Sequence, residues 1–340
     1  MRILYAIQGT GNGHLSRAMD IIPCLMKHAD VHILVSGIQG DLILPFQLSY
    51  EFRGLSFIFG KAGGVDIWKT CIKSNIRKLV KEINSVPVED YDLVLNDFEP
   101  VSAWACSAKN IPCIGLSHQS AVLADHAPKT EHHDLLGKII LKNYAPNTAQ
   151  YGFHFKAYDE NIFTPVIRKQ VREALIQNQG HYTVYLPAYD DSRLIGTLTK
   201  FKAVNWDVFS KHSHRPYKIK NVNVQPIHNE RFIRSMANSE GVLCGAGFET
   251  PAEALFMKKK LLVVPMKNQY EQQLNAAALS EMGVPVIRNL NERFDLVIHN
   301  WIETDRYITV DYPDMTQQII DQIIDKHAKT AIIKDIRQSG

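Results

Sequence analysis

Short apolar runs alternate with segments of helical periodicity along this chain, and no other feature of the sequence constrains its fold as much. The first run, residues 3–7, leads into the loop GTGNGH and then into apolar residues spaced as one face of a helix. Such alternation predicts an α/β fold in which parallel sheets carry helices on both faces. Further strands are predicted at residues 31–36, 93–96, 113–116, 182–186, 241–244, 261–264 and 284–287, and helices at 15–26, around Trp104 and Ala105, from Asp191, from Pro251, at 271–282 and at 313–326.

The length of the chain and a break in its pattern predict two domains. A chain of 340 residues exceeds the roughly 250–300 residues at which single cores stop growing. The tripeptide FTP at residues 163–165 interrupts local structure, and the alternation restarts after it. We therefore expect a Rossmann-like domain over residues 1–160, a second over 165–312, and a helix over 313–340 that could pack back on the first. Two doubly wound domains facing a cleft would bind ligands outside the carboxyl ends of their strands.

Composition excludes several classes of protein. With 38 Lys and Arg residues against 35 Asp and Glu residues, the net charge is only +3, which does not indicate a nucleic-acid partner. No apolar run reaches the roughly 18–20 residues of a membrane span, and the amino terminus does not resemble a signal peptide. The five cysteines are scattered without a CxxC pair, as expected for free thiols in a reducing compartment. These features predict a cytoplasmic protein.

The loop at residues 9–14 follows the first strand and carries Gly11, Gly13 and His14. Glycines let the backbone approach a ligand closely, and the following helix N-terminus offers free N–H groups to an anion. The spacing differs from GxGxxG, and the second strand ends in VSG without the acid that holds a ribose in dinucleotide-binding folds. A nicotinamide or flavin cofactor is therefore not expected. His14 is either a functional residue or a histidine that stabilises the turn.

Two carboxylates follow the strand predicted at residues 93–96. Asp97 could orient His14 and stabilise its charge, which would make the histidine a general base. Alternatively, Asp97 or Glu99 caps the helix that begins near Pro100. Capping and catalysis are compatible at this position.

A second polar group follows the strand predicted at residues 113–116. It consists of Ser117, His118 and Gln119. These side chains could hydrogen-bond a polyhydroxylated ligand, or they could form a simple polar loop.

The densest set of candidates follows the strand predicted at residues 241–244. Small residues precede a helix start and suit a phosphate. Acids further along suit ribose or sugar hydroxyls, which a carboxylate can accept bidentately. Surface solubility would explain Glu271 alone but not the whole group. The candidates are Gly245, Gly247, Phe248, Glu249, Thr250 and Glu253, with Glu271 and Gln272 at the start of the later helix.

These motifs resemble the GT-B glycosyltransferases, especially the lipid II-forming N-acetylglucosaminyltransferase and the UDP-glycosyltransferases. The loop GTGNGH is similar to their GTGGH loop with one residue inserted, and the C-terminal pattern is similar to their donor-nucleotide signature. Over the whole chain the sequence resembles a GT-B subfamily of bacteria and archaea. Matches to the signature are Gly247, Glu253, Pro265, Glu271, Gln272, Asn275 and Ala276.

The resemblance implies a role for each candidate. His14 would be the base or lie beside the phosphates, and Asp97 would support it. Glu253 would bind the donor ribose. The donor-binding set would be Gly11, Gly13, Ile227, Gly245, Gly247, Phe248, Glu249, Thr250, Glu253, Glu271 and Gln272, and the acceptor-side set Glu99, Ser117, His118 and Gln119.

The implied activity is an inverting, metal-independent transfer of a hexosyl or N-acetylhexosaminyl group. The donor would be a nucleotide sugar, most simply UDP-linked, with no further cofactor. The acceptor would be a hydroxyl of a glycan, a lipid-linked compound or a small molecule, as in cell-envelope polysaccharide synthesis. Two alternatives remain, namely a sugar-nucleotide epimerase or hydrolase of GT-B fold, and a non-catalytic nucleotide- or sugar-binding protein.

Two further segments bear on metals and membranes. The tripeptide DYD at residues 90–92 has the form of a metal-binding DxD motif, but it is predicted at the amino end of its strand, away from the cleft. The apolar segment 135–141 lies beside Lys138 and Lys142. It is either a peripheral contact with the inner face of the membrane or an ordinary amphipathic helix.

Overall fold

Seven parallel strands form the first sheet of the computed structural model, which describes residues 1–37, 42–55, 76–130 and 134–338. Their order is β3-β2-β1-β4-β5-β6-β7. The chain changes direction across the sheet between β1 and β4, the topological switch point at which doubly wound sheets bind ligands. The strands are β1 (Arg2–Gln8), β2 (Asp30–Ser36), β3 (Tyr50–Phe52), β4 (Leu93–Asp97), β5 (Cys113–Leu116), β6 (Ala149–Phe153) and β7 (Ile162–Phe163).

Helices pack on this first sheet to form what we call the N-terminal domain. β1 and β4 are buried along almost their whole length, which explains their continuous apolar sequences. The helices of the described part of this domain are α1 (Gly13–Leu25), α2 (Ile76–Ser85), α3 (Pro100–Lys109), α4 (His118–Val122) and α5 (Leu135–Asn143).

A second sheet defines the C-terminal domain, with six strands in the described residues in the order β10-β11-β9-β8-β12-β13. All neighbours are parallel except β10 and β11. The switch point here lies between β8 and β12. The strands are β8 (His181–Tyr185), β9 (Asn205–Ser210), β10 (Tyr217–Ile219), β11 (Val222–Pro226), β12 (Gly241–Gly245) and β13 (Lys260–Val264).

The remaining helices complete this domain and return to the first one. The last helix packs against α1, where Asp321 contacts His28 at 2.7 Å and Lys27 donates to Gln317 at 2.7 Å. No helix in the described ranges is long and apolar enough to cross a membrane. These helices are α6 (Lys169–Arg172), α7 (Asp191–Leu198), α8 (Asn229–Asn238), α9 (Glu249–Phe256), α10 (Tyr270–Glu281), α11 (Asp295–Glu303) and α12 (Thr316–Gln338).

The α/β fold class is confirmed, and three predicted elements differ in detail. The strand predicted at residues 284–287 is reduced to a single bridge between Val286 and Val263, next to Pro285, which has no N–H to donate. α9 begins at Glu249 rather than Pro251, because a proline is tolerated anywhere in the first turn. The last helix begins at Thr316, after Pro313, and extends beyond residue 326.

Candidate active site

A cavity of about 550 Å³ lies where the carboxyl ends of the two sheets face each other. The N-terminal domain lines it with the loops after β1, β4 and β5 and with part of α5. The C-terminal domain contributes the loops after β8, β9, β12 and β13. The position follows from the topology, because both switch points open towards this space.

His14 and Asp97 meet at the wall of this cavity. β1 and β4 are neighbours, with Ile7 paired to Asp97, so the loop after β1 returns His14 to the end of β4. His14 Nδ1 lies 2.8 Å from Asp97 Oδ1, and the exposed fractions of the two side chains are 13% and 0%. A carboxylate only accepts hydrogen bonds. The proton of neutral His14 therefore sits on Nδ1, and Nε2 keeps its lone pair.

Arg17 lies one turn after His14 on α1 and holds the same carboxylate. Its Nη2 donates to both oxygens of Asp97, at 2.8 and 2.9 Å, and its Nε donates to Oδ2 at 3.2 Å. Burial raises the pKa of Asp97, but the charge of Arg17, followed by that of His14, outweighs burial and holds this pKa below its ordinary value. Asp97 is therefore a buried, ionised carboxylate.

A carboxylate of the C-terminal domain completes the cluster. Glu249, in the first turn of α9, accepts a hydrogen bond of 2.6 Å from Arg17 Nη1. Burial lowers the pKa of Arg17, but Asp97 and then Glu249 outweigh burial and hold it above its ordinary value. The ion pair directly connects the two domains.

The side-chain amide of Gln119 forms a second contact between the domains. Gln119 Nε2 donates to Glu271 Oε2 at 3.0 Å and lies 3.5 Å from His14 Nε2. Gln119 thus stands between the candidate base and an acid at the start of α10.

His118 is held in a fixed position behind these residues. Its ring stacks on Phe248, with centroids 3.8 Å apart, and its nitrogens lie 2.7 Å from the Phe153 carbonyl and 2.7 Å from Asn275 Oδ1. Burial lowers the pKa of His118, and the charge of Glu271 opposes this shift. Because both nitrogens contact protein atoms, this side chain positions its neighbours rather than offering a free nitrogen to a ligand.

Phe98 forms another part of the wall. Its φ of 55° lies in the left-handed region, which is strained for a bulky residue. Its ring packs beside Tyr144, with centroids 4.7 Å apart. The strained turn places an aromatic surface between Asp97 and the helix cap at Glu99.

The structure brings most of the sequence candidates to the cavity. Gln272 also orders the adjoining loop, because its Oε1 accepts a hydrogen bond of 2.8 Å from the Met266 N–H. Candidates that line the cavity are Gly11, Gly13, His14, His118, Gln119, Gly247, Phe248, Glu249, Glu271 and Gln272. Those outside its lining are Asp97, directly behind His14, and Glu99, Ser117, Ile227, Gly245, Thr250 and Glu253.

Glu253, which the resemblance predicts as a ribose ligand, does not line the cavity. Its carboxylate is buried and already held by Arg168, at 2.5 and 2.7 Å. Gly245 and Thr250 flank the lining residues of the same turn, and Ile227 lies between β11 and α8.

Glu99 and Ser117, predicted on the acceptor side, are both buried helix caps, which is the alternative role that the sequence also allowed for Glu99. Glu99 accepts from the N–H groups of Val101 and Ser102, at 2.6 and 2.7 Å, and Ser117 accepts from the N–H of Ser120. Capping satisfies backbone donors that would otherwise have no partner.

Several cavity residues escaped the sequence reasoning. Lys211 and His212 follow β9 and line the cavity with exposed side chains. β9 itself was not predicted, so its carboxyl end was not searched. Arg17 carries a weak signal, since a cation three residues after His14 falls on the same helix face.

The DYD tripeptide lies on the opposite side of the sheet from the cavity. Asp92 Oδ2 accepts a hydrogen bond of 2.7 Å from the N–H of Arg2, at the amino end of β1. Within the described ranges, no group of three or more His, Cys, Asp or Glu side chains is arranged to hold a metal ion. His132 and His133, two adjacent histidines that could by sequence also suggest a metal site, lie outside these ranges.

A family model, glycosyl transferase family 1, matches residues 1–302 of the chain. The chain belongs to this glycosyltransferase family. A protein of Methanosarcina mazei described as an uncharacterized glycosyltransferase is 23% identical, over 83% of this chain and 84% of that protein.

Solved glycosyltransferases share the fold. The complex of Phytolacca americana UGT2 with UDP-2fluoro-glucose and pterostilbene has a TM-score of 0.59 at 11% identity, covering 99% of this chain and 98% of that one. MurG of Acinetobacter baumannii has a TM-score of 0.56 at 12% identity, covering 96% and 99%. The expected GT-B architecture is thereby confirmed, and membership of the family makes the chain a glycosyltransferase.

Proposed function

We propose that this glycosyltransferase moves a hexosyl or N-acetylhexosaminyl group from a UDP-linked donor to an acceptor hydroxyl, with inversion and without a metal ion or further cofactor. The observation that carries the proposal is the His14–Asp97 pair at the wall of the cleft. It offers one nitrogen lone pair backed by a buried, ionised carboxylate. That arrangement suits a general base acting on a hydroxyl.

The proposed reaction is a single displacement. His14 Nε2 takes the proton of the acceptor hydroxyl as its oxygen attacks the anomeric carbon. The bond from that carbon to the diphosphate breaks on the opposite face, and the nucleoside diphosphate leaves. Asp97 fixes the ring through Nδ1 and stabilises the imidazolium that forms.

The donor is proposed to lie on the C-terminal side of the cavity. Gly247 and the start of α9 offer backbone N–H groups, and Lys211 and His212 add side chains that can carry positive charge. Charge develops on the diphosphate as it departs, so donors and cations placed there would stabilise the transition state. Glu271, which is 19% exposed in its side chain, is proposed to accept from sugar hydroxyls, with Gln272 beside it.

The acceptor is proposed to enter beside the N-terminal domain. There the lining includes Phe98, Ile140 and Leu141, together with the carboxylate of Asp134. Apolar walls with few polar groups are typical of small-molecule sites, and they also suit the apolar part of a lipid-linked acceptor. Leu135 and Ile139, 72% and 57% exposed on α5, would extend this surface outwards to a peripheral membrane contact.

The test is a donor and product screen on the purified protein. We expect UDP-sugars to raise the melting temperature more than other nucleotide sugars do, and transfer to a hydroxyl acceptor to invert the anomeric configuration, as read by NMR. Free UDP without acceptor would indicate a hydrolase, and an epimerised donor would indicate an epimerase. Either result as the main activity would contradict the proposal, as would stabilisation by donors without turnover across an acceptor library.

A further inference from the structure

Arg17 is unusual among the cleft residues because one buried side chain serves both domains. Its exposed fraction is 1%. Three of its nitrogens contact the base-supporting Asp97 or the Glu249 of the other domain, and Nη2 also lies 3.2 Å from His14 Nδ1. A guanidinium is always charged and presents its donors in a rigid fork, so its position fixes both carboxylates.

The charges of this cluster depend on whether Glu249 is in place. Asp97 and Arg17 together carry no net charge, and Arg17 taken alone opposes a second positive charge on His14. Glu249 at 2.6 Å neutralises Arg17 and restores one net negative charge beside the imidazole. Charges interact strongly at such distances in a buried site.

Glu249 also requires a particular neighbour on the N-terminal domain. A Cβ atom added to Gly13 would lie 2.5 Å from Glu249 Oε2 and 2.9 Å from its Cδ. The carboxylate therefore rests directly against the backbone at the start of α1. An alanine at position 13 would push this carboxylate aside.

We propose that Arg17 and Glu249 are positioning residues through which the C-terminal domain sets the strength of the His14 base. With Glu249 in place, Arg17 is neutralised and His14 is a stronger base. Without this carboxylate, the uncompensated guanidinium makes His14 harder to protonate. The inference rests on the proposed role of His14.

Other titratable groups surround the cluster. Among the contacts of the described residues, Glu249 is the one titratable group of the C-terminal domain that contacts Arg17 directly. The other groups do not change when Glu249 alone is altered, so the effect of that residue can be isolated. The groups are Tyr5 on β1, Asp97 on β4, His118 on α4 and Glu271 on α10, which reaches His14 through Gln119.

The experiment is an NMR titration of the His14 ring in the substrate-free protein, with the signal assigned by its loss in His14→Gln. In Glu249→Gln the midpoint should move to lower pH by about one unit, because Arg17 is no longer neutralised. Gly13→Ala should move it in the same direction by displacing the carboxylate. Adding Gly13→Ala to Glu249→Gln should produce no further shift.

The matched control is Glu281→Gln, an exposed acid at the end of α10, which should leave the midpoint unchanged. An unchanged midpoint in folded Glu249→Gln, or a shift to higher pH, would overturn the coupling. If the shifts of the two single variants add in the double variant Gly13→Ala/Glu249→Gln, the claim that Gly13 acts through Glu249 is overturned. The titration uses no substrate, so it tests the charge coupling independently of activity. If the midpoint shifts as expected but the donor and product screen finds no sugar transfer, the proposed function is refuted and the charge coupling stands.

Discussion

Arg168 holds Glu253 with two hydrogen bonds, from Nε to Oε1 at 2.5 Å and from Nη2 to Oε2 at 2.7 Å. Arg168 directly precedes α6, in the segment that joins the two sheets, and its Nη1 also donates to Asn229 at 2.6 Å. The pair therefore fastens the connecting segment to α9. Burial lowers the pKa of Arg168, but Glu253 outweighs burial and holds it above its ordinary value.

Replacing Glu253 should therefore affect folding more than donor binding. Glu253→Ala leaves a buried guanidinium without its partner, and breaking such pairs costs about 3–5 kcal/mol. We expect the free energy of unfolding, measured with urea, to fall by about this amount. Donor affinity measured by calorimetry on the folded fraction should change little.

Two comparisons check this assignment. Glu249→Gln, whose carboxylate is 25% exposed, should destabilise less than Glu253→Ala. A stable Glu253→Ala protein that no longer binds donor would restore the ribose role and contradict the structural one.

Acid should remove the stability that Asp97 provides. Since the folded state holds the pKa of Asp97 below its ordinary value, ionisation stabilises the fold above about pH 4, the unfolded value. That contribution is lost as the pH falls through the lower, folded value. Asp97→Asn should thus be strongly destabilised near neutral pH, and its difference from the wild-type protein should shrink in acid. Urea unfolding of both proteins from pH 7 downwards measures this, and a difference that does not vary with pH would contradict it.

Much of the fold follows from sequence because buried parallel strands are continuous apolar runs. The strands at residues 3–7 and 261–264 were recognisable for this reason. β10 was not, since all three of its residues are exposed. β9 begins with an exposed Asn205 and contains Asp207, so its pattern resembles a loop until its neighbours are known.

The order of the strands and helices was enough to predict only part of the site. Adjacent strands placed Asp97 near His14, and helix starts placed Glu271 in the cleft. The partners of Glu253 and Glu249 were not predictable. Arg168 is 85 residues from Glu253, and Arg17 is 232 residues from Glu249, and no local pattern links residues so far apart. A ligand-like carboxylate in a family motif can therefore be occupied by a cation from elsewhere in the chain.

Chelation should leave transfer unaffected. Asp92, the second acid of the DYD tripeptide, is engaged at the amino end of β1, and Lys211 with His212 can supply positive charge in the cleft. We expect the rate to persist in excess EDTA and to be insensitive to added Mg²⁺ or Mn²⁺. Loss on chelation with recovery on metal addition would refute a metal-independent mechanism.

Lys211 should contribute to donor affinity through charge. Lys211→Met should weaken UDP binding by about tenfold, as expected for the loss of one charged hydrogen bond, and should reduce the dependence of binding on salt. Lys218→Met is the matched control, because Lys218 is exposed on β10 and does not line the cavity. Equal effects of the two variants would indicate only a general attraction and would remove Lys211 from the donor site.

His14 gives the sharpest test of the mechanism. His14→Ala should lower turnover by about 10²–10⁴, the usual contribution of a general base, while donor affinity changes little. Asp97→Asn should act in the same direction but less, since it only orients and stabilises the ring. The acidic limb of the pH–rate profile should disappear in His14→Ala, whereas His299→Ala, an exposed histidine on α11, should keep it. If His14→Ala instead loses donor affinity and retains the acidic limb, His14 contacts the diphosphate or the turn. Because both nitrogens of His118 contact protein acceptors, the base would then have to be sought elsewhere in the cleft, with Asp134 as the first acid to replace.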